Sequence, residues 1–216
     1  MTARHSVSLN LIEKEVQALG LLYRRNPSAS HNFDFSKVRD ASFFDYWATY
    51  YRENWYDYQL TDYSLLSFNE NNLGDETFVY LGCPVNCLVT EEEYYQNDVL
   101  YRSGVSYEDY LLGCPKRENA PYLRYDKAPG QYNTGLHPAN HLHFGYSQNN
   151  RVGCLYHLDL IAFVAIVLRQ FYPDCWSTVL KNGKTYPYLN GYKSKLGMIG
   201  EEHYHGFDNS HDLYLK

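Results

Sequence analysis

The stretch Asp159 to Phe171, DLIAFVAIVLRQF, constrains the fold more than any other part of the chain. Asp159 stands at its start and Arg169 near its end, the charge order that complements a helix dipole, and Pro173 lies shortly beyond. From Leu160 through Leu168 it is apolar on almost every side. A helix of that kind has no face to offer water and must be buried. It is far short of the ~20 residues that a bilayer requires, so burial is expected in a protein core, packed across a sheet.

The remaining periodicities supply that sheet and its other covers. Ser8 to Arg25 carries Leu11, Ile12, Val16, Leu19 and Leu22 at near-helical spacing, with Glu13 and Glu15 early and Arg24 and Arg25 late, which predicts one amphipathic helix. Asp40 is the expected N-cap of a second helix, through an aromatic stripe of Phe43, Phe44, Trp47 and Tyr51. Tyr56 to Phe68 reads as a strand or hairpin limb, Asn69 to Gly74 as a turn, and Thr77 to Leu81 as a short strand stopped by Gly82 and Pro84. Thr90 and Ser106 open two short capped helices. Tyr122 to Asp126, His141 to Tyr146 and Arg151 to Tyr156 are three further strands, and residues 174–200 read as loops with one short helix near Trp176 to Leu180. The expected architecture is a single α+β domain over residues 1–216: a small, mostly antiparallel sheet with a buried core helix and the N-terminal helices packed on it.

Composition limits function. With 44% hydrophobic and 20% charged residues the chain fits a globular protein rather than a disordered one. A net charge of −6 opposes non-specific binding of DNA or any other polyanion, although 24 tyrosines give many amphipathic rings for a half-wet core, an interface or base stacking. Five cysteines include no C-x-x-C pair, which points to reduced thiols in a cytoplasmic protein. Cys83 and Cys87, with Cys114, are a weak start for a zinc site, since Pro84 intervenes and no second close pair exists. The opening MTARHSVSLN has no apolar core of a secretory signal, and no membrane association is expected.

Candidate chemistry concentrates in LRYDKAPGQYNTGLHPANHLHFG, Leu123 to Gly145. The two-residue period of a strand puts Arg124 and Asp126 on one face and His141 and His143 on one face, so a hairpin of the two gathers a cation, a carboxylate and two imidazoles. Three uses are open. Metal-independent phosphodiester cleavage would have one histidine take a 2′-hydroxyl proton, the other protonate the leaving oxygen, and Arg124 hold phosphate charge. A metal site would draw on Asp126, His141 and His143 for zinc or another divalent ion, with His137 or the tail pair His203 and His205 as additions. A structural use would pair Arg124 with Asp126 and bond the imidazoles to turn backbone. His5, His31 and His157 are expected to be structural or on the surface, and His211 lies in the tail.

The same residues carry a resemblance. Leu123 to Asp126, His137 to Gly145, and Leu168 to Tyr172 are similar to motifs of the uncharacterised bacterial family DUF2290, as are Leu60 to Phe68 and Tyr80 to Pro84. After Arg151 the chain reads VGCLYH where that pattern has a proline-containing strand. More distantly, Arg124, Asp126, Ala128, Pro129, His141 and His143 resemble the R-x-D-x-A-P and H-x-H outline of toxins from bacterial toxin–antitoxin pairs. The resemblance implies a toxin-like or phage-defence-associated ribonuclease acting on RNA, and the residues themselves put forward Arg124, Asp126, His137, His141 and His143 as its site. It also implies a protein partner from a defence or toxin–antitoxin operon. No cofactor is required by the metal-free route.

Overall fold

A computed structural model describes residues 3–29, 38, 40–71, 73–87, 89–98, 102–146, 150–203 and 214–215. His31, His205 and His211 lie outside the described residues. The elements in order are α1 (Ala3–Ala18), β1 (Leu22–Arg25), α2 (Phe43–Arg52), β2 (Tyr58–Leu60), β3 (Leu65–Glu70), β4 (Glu76–Leu81), α3 (Glu91–Gln96), α4 (Tyr107–Gly113), β5 (Tyr122–Lys127), β6 (Asn140–Phe144), β7 (Arg151–Cys154), β8 (Tyr156–His157), α5 (Leu160–Phe171), α6 (Pro173–Lys181), α7 (Pro187–Asn190), β9 (Gly197–Met198) and β10 (Tyr214–Leu215). One sheet runs in the order β1-β2-β3-β4-β5-β6-β7-β10, antiparallel throughout except that β10 lies parallel to β7. The fold is α+β, as expected. Among the described residues no helix is long and apolar enough to cross a membrane.

The apolar helix is the centre of the core. Asp159 caps α5 by accepting a hydrogen bond from the Ala162 amide, 2.8 Å, and every residue from Leu160 to Leu168 except Ile166 is buried. Phe163 sets its ring edge-on to Phe68 and Phe78 from β3 and β4. Leu66, Phe68, Phe78, Tyr80, Leu123, Tyr125 and Leu142 complete this side, and Leu9, Ile12 and Val16 of α1 pack against it. The opposite face of the same sheet carries a second core, in which α2 lays Tyr46, Trp47 and Tyr50 over Leu65, Val79, Leu81 and Tyr122. The two N-terminal helices therefore cover opposite faces.

Three sequence expectations change. The first helix ends at Ala18, because Gly20 takes a left-handed backbone (φ 70°) that breaks it. Leu22 to Arg25 then form edge strand β1, paired with β2. The cap of α2 is Ser42 rather than Asp40; its hydroxyl accepts from the Asp45 amide, 3.2 Å, and donates back to the Asp45 carboxylate, 2.6 Å. Residues 174–200 hold more helix than expected. Pro173 and Pro187 each occupy a first helical turn, where the missing amide costs nothing, and buried Glu15 of α1 accepts from the Tyr188 and Leu189 amides at the start of α7.

Candidate active site

β5 and β6 are adjacent antiparallel strands whose register places Arg124 opposite His143 and Asp126 opposite His141. On the other side of β5, Thr77 of β4 faces Asp126. Strand alternation sends Leu123, Tyr125 and Leu142 into the α5 core and the four charged or titratable side chains to the other face. They meet there as the hairpin geometry requires.

Contacts within the cluster are close. Arg124 Nε donates to Asp126 Oδ2 at 2.8 Å, and its Nη2 lies 2.8 Å from His143 Nε2. The same Asp126 oxygen is 3.4 Å from His141 Nε2 and 3.2 Å from His143 Nε2. Thr77 Oγ1 donates to the other carboxylate oxygen at 3.0 Å. His141 and His143 are 2% and 3% exposed, with ring centroids 4.8 Å apart. His137 returns through a β-bridge to Asn133 and sets its ring edge-on to His141, 4.9 Å away.

Hydrogen-bond chemistry assigns the protons. His141 Nδ1 is 3.1 Å from the Pro138 carbonyl, which can only accept, so Nδ1 carries a hydrogen and Nε2 is the ring atom turned toward Asp126. A guanidinium can only donate, so His143 Nε2 accepts from Arg124 and its hydrogen sits on Nδ1, a buried atom without a partner. Asp126 Oδ2 and the two Nε2 atoms thus converge on one point. Burial disfavours the charged form of Asp126, yet the His141 and His143 imidazoles that face it and the Arg124 charge hold its carboxyl far below the usual range. For Arg124, burial opposes the charge and is outweighed by Asp126, Tyr122 and Tyr46. Burial lowers His143 and His137 and favours their neutral rings; Asp126 opposes this for His143, and the Arg124 charge adds to it.

The cluster forms the floor of a cleft of about 800 Å³. Tyr46 and Tyr50 of α2 make one wall; Lys127, Arg151, Asn69 and Asp75 contribute to the rest. Lys127 is tied to Glu76 at 2.7 Å. All five expected site residues, Arg124, Asp126, His137, His141 and His143, line this cleft. Among the described residues, the group that could hold a metal is Asp126, His141 and His143. His203 does not join it and packs edge-on against Tyr132. His157 bonds Asn140 at 2.9 Å. Cys83, Cys87 and Cys114 are free thiols, and burial pushes Cys83 up to about 12 and Cys114 up to about 11, so neither is a ready thiolate. Thr77, Tyr46 and Tyr50 escaped the sequence because each reaches the site from an element distant in the chain, whereas Arg151 opens the next strand and is paired opposite His143.

Residues 23–204 match the model of a family described as an uncharacterized conserved protein, DUF2290. No curated protein and no solved structure matches the chain.

Proposed function

The chain belongs to the DUF2290 family, and from that premise and the geometry of the cleft we propose a toxin-like or phage-defence-associated ribonuclease working without a metal. The observation that supports this reading is the convergence of Arg124, Asp126, His141 and His143 at the floor of an open cleft. His143, held neutral by burial, takes the proton of an RNA 2′-hydroxyl. The freed oxygen attacks phosphorus as the P–O5′ bond breaks, and the leaving 5′-oxygen receives its proton from His141. The Pro138 carbonyl fixes that ring, and Asp126 stabilises its protonated form. Arg124 turns from His143 Nε2 to the phosphate, which frees that lone pair for the 2′-hydroxyl proton, and Arg151 on the rim adds positive charge.

Incubation of the purified protein with RNA and with the same sequence as DNA, both in chelator, tests the proposal. RNA should be cut and DNA, lacking the 2′-hydroxyl, left whole; His143→Ala should lose about 100-fold or more in rate while staying folded. A wild type that cuts no RNA with or without its operon partner removes the enzyme. The competing reading is a non-catalytic subunit of a defence complex, binding a protein or RNA, and the net charge of −6 favours it for a protein partner. Recovery of a stoichiometric partner together with an unchanged cellular phenotype for His143→Ala would support that alternative.

A further inference from the structure

We infer that Asp126, His141 and His143 form a binding site for a divalent transition-metal ion of the zinc class, and that its occupation displaces the Arg124 guanidinium and silences the acid–base chemistry of the cleft. Converging ligand atoms are the first ground. With His141 Nδ1 turned to the Pro138 carbonyl and His143 Nε2 beside Arg124, three atoms of metal-binding type meet: Asp126 Oδ2 and the Nε2 atoms of His141 and His143. The guanidinium of Arg124 reaches two of them, a cation already drawn to this point.

Geometry is the second ground. Zinc about 2.1 Å from each of its ligands in a tetrahedron holds them roughly 3.4 Å apart. Asp126 Oδ2 already stands 3.4 Å from His141 Nε2 and 3.2 Å from His143 Nε2, and one ligand atom from each of the three residues lies within 4.8 Å of the others. Two imidazoles and one carboxylate suit zinc, cobalt, nickel, iron or manganese, and leave coordination positions open toward the cleft. Outer contacts match as well. The Pro138 carbonyl fixes His141 in the Nδ1–H tautomer, and Thr77 holds the carboxylate oxygen that does not face the histidines.

Arg124 is then a built-in competitor. It spans the carboxylate and His143 as a monovalent stand-in, so the metal must push it off, and the two cations repel each other at this distance. The imidazole lone pairs that bind metal are also those that move protons in the proposed cleavage, so the two uses exclude each other. This consequence rests on the ribonuclease reading; the binding itself does not.

The test separates them. Chelator-stripped wild-type protein is titrated with zinc(II) by calorimetry and with cobalt(II) by visible absorption. One ion per chain is expected, with cobalt bands typical of low coordination number. His141→Ala and His143→Ala should each weaken binding by about 100-fold. Arg124→Gln should tighten it by roughly tenfold, a gain that a purely structural cluster would not show. Failure of wild type and Arg124→Gln alike to bind either ion overturns the inference, whatever the RNA assay gives. Binding accompanied by loss of RNA cleavage supports it in full. Binding that is required for cleavage keeps the metal site but overturns both the silencing and the metal-free mechanism.

Discussion

The two faces of the main sheet are made by alternate residues of the same strands, yet they differ in almost every physical respect. On one, Phe68, Phe78, Tyr125 and Leu142 meet α5, which is apolar all round, and the space is filled. On the other, Ser67, Thr77, Arg124, Asp126, His141 and His143 form polar rows, and α2 covers only part of them. The first face supplies the burial that holds the second in place, so the charged cluster can carry groups that do little for stability. Breaking each face should therefore give opposite phenotypes.

The largest effect is expected on the dry face. Phe163 is fully buried between Phe68 and Phe78. Phe163→Ala should cost about 3–5 kcal/mol in denaturant unfolding, through lost transfer energy and the cavity left behind. A loss below ~1 kcal/mol would show that α5 is not the keystone.

Two buried carboxylates sharpen the contrast. Asp126 has Arg124 beside it and stays ionised, whereas Asp57, which accepts the Phe68 amide at 2.8 Å, is pushed by burial up to about 7. Its folded value lies above the unfolded one, near 3.8, so the unfolded chain gives up the proton first as pH rises. Stability should fall between about pH 4 and pH 7 and level off above, by about 4 kcal/mol at most. Asp57→Asn keeps an acceptor for Phe68 and should flatten that slope. An unchanged slope in urea melts across this range would assign it to other groups.

On the wet face, Asp126→Ala should cost about 3 kcal/mol, because Arg124, with a side chain 16% exposed, would be left without its carboxylate. The double variant Arg124→Met with Asp126→Leu should recover most of that loss while abolishing RNA cleavage and zinc binding. If the double variant is as unstable as the single one, the pair is holding the fold rather than serving the cleft.

How far these faces can be read from sequence follows the distance over which each depends on pairing. The α5 helix and the Arg124, Asp126, His141 and His143 hairpin are legible because their periods of 3.6 and 2 are local. Gly20 inside an otherwise regular apolar repeat marks where α1 stops, but a single glycine is also tolerated within helices, and only its left-handed backbone decides. Ser42 and Asp40 are equally good caps by residue type; the reciprocal bond with Asp45 selects Ser42. Thr77 reaches Asp126 through β4–β5 pairing across a long connection, and Tyr46 and Tyr50 arrive from α2. That the two Nε2 atoms, rather than Nδ1, turn to Asp126 is a matter of ring orientation, which no spacing records.

The smallest predicted effect has the opposite sign from the others. Gln59 of β2 is fully buried on the same side of the sheet as Leu65, and neither its amide nitrogen nor its carbonyl oxygen has a hydrogen-bond partner. A buried amide without partners loses its water and gains nothing in return. Gln59→Met fills a similar volume with an apolar chain and should stabilise the protein by about 1–2 kcal/mol in urea unfolding, leaving RNA cleavage and metal binding unchanged. The equivalent change on the dry face can only lose energy, since its positions are already apolar. A destabilising Gln59→Met would place a polar partner against this side chain and extend the wet face across β2.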